Sequence, residues 1–584
     1  MKSRSTLGIL ARLLAVLLAF SLVAAACGDD SDDGGTDTEG DSDADDTGDD
    51  DDGPGEAIDE TGNEIVGEGE VVSEEDPVRG GTLRIGVEAE TDGLNPKTNN
   101  FAVSAYTMGF PIFDPLFYFD ENGDWFPWLA ESATPVGDGS SWQVKLKPGI
   151  TFHDGTPLNA DALIANFEAS INDPIISIAI VPNYPETNRY EKIDDLTLQY
   201  NLIRPTAHFP VNLTNQLGMI ASPTWLAAAA EDESLDQRPV GAGPFKIESR
   251  DQDNVTRLVR NEDYWQGTDD IYLDAIEIYI NTDTALAAEQ VSSDALDLLI
   301  TSNADATLTL RDADGVSTIE NLLSGEDFVM MNTAKPPFND IRVRKALTFA
   351  ADREGYIEFI GQGTKPAADS MYHPSLPENN PDVVQEANMP ELAGPLVDEY
   401  CADVPDQCTD GRVNMELQFS GPSTLQDRIM ALLSDGWAPF FNITLDQLPQ
   451  DDHITEVATG AYQVVTWRQL GEADPDNEIV WNQCASATGL IALNWTRYCD
   501  EERDALFFEA RATDDEARRI EIMQEVQVNM NEAYTHIFLT HANWTLGFRD
   551  NVKNLCGQKG PQGETLLCNT QGRGFYHNVW LSEN

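Results

Sequence analysis

From residue 79 onward, short runs of alternating apolar and polar positions are interleaved with stretches of 3.6-residue spacing, which predicts strands and amphipathic helices mixed along the chain. Gly81-Thr-Leu83-Arg-Ile85-Gly-Val87 places apolar side chains at every second position and reads as a strand, closed by the turn Asp92-Gly-Leu94-Asn95-Pro96. Val144 and Leu146 alternate in the same way before the turn Lys147-Pro148-Gly149. Phe152-His-Asp-Gly-Thr-Pro-Leu158 then leads into a helix capped by Asn159, with Ala160, Leu163, Ile164 and Phe167 on its inner face. In Pro239-Val-Gly241-Ala-Gly243-Pro-Phe245 two glycines permit positive φ in a turn, ahead of an amphipathic strand over 256–259. Asp340 can accept from the free N–H groups of a helix whose Val343, Leu347, Ala350 and Ala351 share one face. Further strands are predicted over 415–419 and 462–466, with a helix over 425–437 between them. Thr513-Asp-Asp-Glu516 reads as a capping box whose helix carries Ala517, Ile520, Met523, Val526 and Met530 on one side. About 500 residues exceed what a single hydrophobic core serves, so at least two cores are expected.

The N-terminus is patterned differently. Lys2, Arg4 and Arg12 precede an apolar run over 13–23 and then Ala24-Ala-Ala-Cys27, a secretory signal over 1–26. The apolar run is shorter than the roughly 20 residues a helix needs to cross a bilayer. Small residues before a lone cysteine resemble a bacterial lipobox, with Ala24 standing where that motif usually has Leu. The resemblance implies that Cys27 is lipidated and begins the mature chain. Residues 28–76 carry 23 acidic side chains and no basic one, too polar to build a core, so 27–78 is expected to be an extended, disordered acidic tether.

The formal charge of −67 extends beyond that stretch, since residues 79–584 hold 32 basic against 79 acidic side chains. Such a field excludes a nucleic-acid partner and favours solubility. Apart from Cys27, six cysteines fall into three close sequence pairs, Cys401 with Cys408, Cys484 with Cys499 and Cys556 with Cys568. In an exported chain this spacing suggests three local disulfides, each worth about 2–4 kcal/mol. The histidines at 153, 208, 373, 453, 536, 541 and 577 form no HxxxH or HxxH pair, and no metal or other cofactor is expected. No GxSxG, HExxH or P-loop motif is present, so no catalytic residue is assigned and an enzyme is not expected.

Several landmarks in order carry a family likeness: the opening strand with its LNP turn at Leu94, Phe113-Asp-Pro-Leu116, Pro127-Trp-Leu-Ala-Glu-Ser132, Pro239 to Phe245, Asn261-Glu-Asp-Tyr-Trp265, and above all Lys335-Pro-Pro-Phe-Asn-Asp340-Ile-Arg-Val-Arg-Lys-Ala-Leu347. The chain resembles the family-5 extracellular solute-binding proteins, the oligopeptide, dipeptide and nickel receptors of ABC importers. That resemblance implies a two-lobed α/β fold of the periplasmic-binding-protein type, with three subdomains and two hinge crossings. Lobe I would be 79–326 with 538–584, and lobe II 327–537. It also implies a monomer held at the outer face of the cytoplasmic membrane, capturing a short peptide or similar small organic solute and handing it to permease subunits. A sugar or metal chelate, or a sensor role, stays open.

For the binding site, the resemblance points to Trp467-Arg468-Gln-Leu-Gly471-Glu472-Ala-Asp474-Pro475. In peptide-binding relatives an Asp shortly after the Trp pairs with the peptide ammonium; here Gly471 or Glu472 falls at that place, while Asp474 is suited to the turn before Pro475. Arg468 can fork onto an anionic ligand group or pair on the surface with Glu472 or Asp474. Asn95 and Tyr106 are the candidates on the facing lobe. The glycines of 239–245 and the aromatics of 261–265 read as folding residues.

Overall fold

The computed structural model describes residues 57–58, 64–66, 71–321, 325–469, 471, 474–568 and 571–582. The signal sequence, Cys27 and Glu472 lie outside these residues. The chain divides into two units, 1–53 and 54–584, and every described residue belongs to the second.

Two large mixed sheets organise this unit. One has nine strands, in the order Ala57–Ile58, Glu64–Val66, Val316–Asn321, Trp544–Arg549, Leu298–Thr301, Thr82–Val87, Ala275–Ile280, Val255–Arg260 and Phe245–Asp251. The other has six: Cys408–Thr409, Arg412–Ser420, Val464–Arg468, Glu326–Met331 and His536–His541 in sequence of pairing, with Phe441–Leu448 joined to Arg412–Ser420. A third sheet of four strands is built from Ala130–Val136, Ser141–Leu146, Thr197–Asn201 and Tyr190–Lys192. The chain leaves the nine-stranded sheet after Asn321, enters the six-stranded one at Glu326, and returns between His541 and Trp544. Phe538 and Leu539 therefore belong to the six-stranded sheet, and the return lies at Ala542 and Asn543. The result is a two-lobed α/β molecule whose lobes are joined twice.

Strand alternation explains how the six-stranded sheet is covered on both faces. Val329 and Met331 point into one apolar cluster with Val343, Leu347, Leu417 and Trp437. Phe328 and Met330 point into another with Val465, Met523, Val526 and Phe538. The helix Ile341–Phe349 starts as its sequence predicts, Asp340 accepting from the Arg342 N–H at 2.9 Å. Asn159 caps Ala160–Asn172 in the same way, accepting from the Ala162 N–H at 3.0 Å.

Three local expectations are corrected. The helix Glu516–Ala533 is capped by Asp515, not by a Thr513–Glu516 box, because Thr513 instead accepts from the Asp515 N–H at 3.1 Å. This rotates the buried face to Arg519, Ile522, Met523, Val526 and Met530 and leaves Ala517 exposed. Gly241 and Gly243 do not adopt positive φ. They are needed for close approach: a Cβ on Gly243 would lie 2.5 Å from the Pro111 carbonyl oxygen, and one on Gly241 would strike the Ile112 carbonyl. Finally, the stretch expected to be a tether contributes two strands at the edge of the nine-stranded sheet, Ile65 lying opposite Ile319. Val71, whose carbonyl accepts from the Cys556 N–H at 3.0 Å, is packed against that side's core.

The expected bridges Cys401–Cys408, Cys484–Cys499 and Cys556–Cys568 are all formed. The family-like motif at 261–265 closes on Phe113-Asp-Pro-Leu: the Tyr264 hydroxyl and Trp265 Nε1 both donate to Asp114 Oδ2, at 2.9 and 3.0 Å. These aromatics thus hold the fold.

Candidate functional site

Val464–Arg468 runs antiparallel to Glu326–Met331, with Trp467 opposite Phe328 and Arg468 opposite Asp327. Because successive residues of a strand face opposite ways, the two candidates separate. Half-buried Trp467 stacks on His453, with ring centroids 5.4 Å apart, and meets Trp495 edge-on at 4.4 Å. Trp495 in turn touches Trp481 at 4.9 Å, so three indoles form a continuous aromatic wall.

Arg468 joins the two large sheets. Its Nε donates to Asp327 Oδ1 at 2.8 Å, its Nη1 donates to the Ser302 hydroxyl, and Glu88 Oε1 lies 3.7 Å from Nη1. Ser302 follows the strand Leu298–Thr301 and Glu88 follows Thr82–Val87, both in the nine-stranded sheet. The Trp544 ring lies 5.9 Å from the guanidinium carbon. Asp327 is 5% exposed, and its Oδ2 accepts from Lys365 Nζ at 2.7 Å and from the Thr540 hydroxyl at 3.1 Å. Burial alone would push the Asp327 carboxyl up, but Lys365 and Arg468 outweigh it and hold the group well below the usual carboxylate range. For Lys365 burial wins and the ammonium is pulled down; for Arg468 burial is overcome by Asp327 and Glu88, which hold the guanidinium charged. Buried ionic groups of this kind persist only when paired.

The remaining candidates are placed as follows. Asp474 is buried and committed to the fold: its Oδ1 accepts from the Asp476 N–H at 2.8 Å, capping the short turn Pro475–Glu478, and from the Arg519 guanidinium. Asn95 is buried too, donating to Asp236 Oδ1 at 2.9 Å and accepting from the Lys97 N–H at 3.1 Å. It holds its turn. Tyr106 lies in the helix Val103–Phe113 with the Arg573 guanidinium 4.7 Å from its ring centroid. Arg573 Nη1 donates to the Gly471 carbonyl at 3.4 Å, so Tyr106 is linked to the 467–475 segment through a residue that sequence reading overlooked. Asp327, Lys365 and Glu88 were overlooked as well. The available signal was Asp327 itself, a charge at the head of the apolar run Phe-Val-Met-Met.

Among the described residues no group of three or more His, Cys, Asp or Glu is arranged to hold a metal ion. With the architecture and the junction at Arg468 in view, comparison with known proteins gives the class. The chain belongs to the bacterial extracellular solute-binding proteins, family 5: the model of that family's middle region matches residues 124–489. It is 25% identical over 503 residues to di/tripeptide-binding protein 2 of Pseudomonas aeruginosa, covering 82% of this chain and 92% of the relative. Its fold matches the periplasmic binding protein DppA of Helicobacter pylori in complex with the peptide STSA, with a TM-score of 0.75 at 19% identity over 87% of this chain and 99% of that one. It also matches AgaA of A. tumefacien R10 in complex with agropinic acid, with a TM-score of 0.75 at 20% identity over 86% of this chain and 99% of that one. The relatives named are binding proteins.

Proposed function

We propose that the protein captures a short peptide between its two lobes and presents it to the permease subunits of an ABC importer. The likeness to a di/tripeptide-binding protein across most of the chain carries this reading. Two short connections between separately packed sheets are the mechanical requirement for closure around a guest. Trp467, backed by Trp495 and Trp481, supplies aromatic contact area that tolerates varied side chains. Arg468 acts at the junction of the lobes, since Asp327, Ser302 and Glu88 already engage it. Glu472 is the candidate acceptor for a peptide ammonium. Lobe I comprises the nine- and four-stranded sheets, and lobe II the six-stranded one.

Cys27 would carry the lipid that holds the protein at the outer face of the cytoplasmic membrane, the acidic stretch after it letting the body range above the surface. Mass spectrometry of the mature N-terminus tests the anchor; an unmodified terminus downstream of Cys27 rejects it. A second reading, a non-peptide organic solute, is favoured by the fold neighbour that holds agropinic acid.

Mass spectrometry of molecules released by denaturing the purified protein, followed by calorimetry with the identified species, tests the ligand. Di- or tripeptides binding at micromolar or tighter affinity are expected. Release of a non-peptide solute, with thermal melts indifferent to a broad peptide panel, would overturn the peptide reading in favour of the second.

A further inference from the structure

Glu326 and Asp327 are neighbours on one strand and face opposite ways, with opposite fates. Asp327 is satisfied by Lys365, Arg468 and Thr540. Glu326 is 4% exposed, and among the described residues its carboxylate meets no cation and no donor beyond its own backbone N–H. It points into a cavity that it shares with Phe328, Glu478, Trp481, Trp495 and His536. Glu478 is also buried, at 6% exposure. Two carboxyl groups and two indoles thus converge on a space next to the aromatic wall of Trp467, without a cationic residue lining it. Burying the Glu326 carboxylate without a cation is costly, and indole faces attract cations.

We infer that this cavity is a subsite for an organic cation, an ammonium or guanidinium group of the bound solute, which Glu326 neutralises while Glu478, Trp481 and Trp495 flank it. The inference deepens the proposed function and rests on it only for the source of the cation, which is either the side chain or the terminal ammonium of a peptide.

The charges facing Glu326 agree with this assignment. Burial, then Glu478 and Asp327, push its carboxyl well above the usual range, so an uncompensated negative charge there is disfavoured. Asp327 is answered by its own partners, and burial pulls His536 down to about 3, which leaves that imidazole neutral. An entering cation would favour the ionised carboxylate, any proton held by Glu326 leaving to solvent.

The test uses the full mature protein and two sets of probes. Butylammonium and butylguanidinium, with 1-butanol as the neutral control, are expected to raise the melting temperature and perturb tryptophan fluorescence where butanol does not. Calorimetry in buffers of different ionisation heat should register proton release on cation binding that grows as pH is lowered. Glu326→Gln keeps the shape and removes the charge, so it should fold normally and lose both responses; Glu478→Gln serves as the second variant, with at least about a tenfold weaker response expected. Ala-Lys-Ala, Ala-norleucine-Ala and their N-acetylated forms then identify the source: a lysine preference erased by Glu326→Gln assigns the side chain, and an acetylation penalty erased by it assigns the terminus. Cations that bind no better than butanol, or bind both folded variants as well as wild type, overturn the subsite. Cations that bind while all four peptides fail leave the subsite standing and overturn the peptide reading instead.

Discussion

Arg468 stands directly opposite Asp327 in an antiparallel strand pair, and its Nε donates to that carboxylate at 2.8 Å while the same guanidinium reaches Ser302 and Glu88 across the gap between the two large sheets. One side chain is thereby shared between a buried charge network in one lobe and the strand ends of the other.

Removing Asp327 should therefore be far more damaging than removing Arg468. Asp327→Asn leaves the Lys365 ammonium buried without its counter-charge, a loss of about 3–5 kcal/mol in urea unfolding. Arg468→Ala leaves Asp327 with Lys365 and Thr540, costs about 2 kcal/mol, and increases the radius of gyration of the ligand-free protein in X-ray scattering. An unchanged radius would remove Arg468 from the junction.

Acid should destabilise the protein through its buried histidines. Burial first, then the neighbouring charges of His373 and Arg353, pulls His541 down to about 3, and burial with Arg503 does the same to His536. In the unfolded chain these groups titrate near 6.5. Because the folded values are depressed, their contribution is present above pH 6.5 and is lost as pH falls toward 3. Melting temperatures should decline over that window, and His541→Gln should make the decline shallower; an equal slope would exclude His541.

Asp114 works in the opposite sense within much of the same range. Burial pushes its carboxyl up to about 7 in spite of the hydrogen bonds from Trp265 and Tyr264. Between 3.8 and 7 the unfolded chain is ionised there while the folded protein is not, so this contribution weakens as pH rises. Asp114→Asn should consequently steepen the acid decline in melting temperature. A profile parallel to wild type would refute the shifted titration.

Gly243→Ala should cost about 3 kcal/mol in urea unfolding, because its Cβ would be driven into the backbone of the helix Val103–Phe113. Gly155→Ala is the control: its φ of +80° is strained for alanine but its surroundings are open, and a cost of about 1 kcal/mol is expected. Equal costs would show that steric approach to Pro111 is not the reason for glycine at 243.

What could be read along the chain was what is decided within a few residues. Asp340 and Asn159 cap the helices their neighbours predict because the acceptor and the N–H groups lie two or three positions apart. Even there the cap fell two positions from the expected Thr513, at Asp515, which accepts from the Arg518 N–H. The glycines at 241 and 243 were legible as special, though the cause, a helix lying against them, is contributed by residues about 130 positions away. The site was harder for the same reason. Asp327 meets Lys365 across 38 residues and Arg468 across 141, separations over which local pattern is silent. Glu326 was hidden by composition: in a chain with 102 acidic residues, one lacking a partner cannot be distinguished until its burial is known. The ordered family landmarks did identify the fold, because each fixes a turn or strand that the two-lobed arrangement needs.

The cysteine bridges span 7, 15 and 12 positions, two of them lying between the crossings and the third beyond the second crossing. Among the described residues no covalent staple straddles the joint. Oxidation can thus harden each half without riveting it to the other, and at Arg468 what spans the joint is a reversible grip on Ser302 and Glu88.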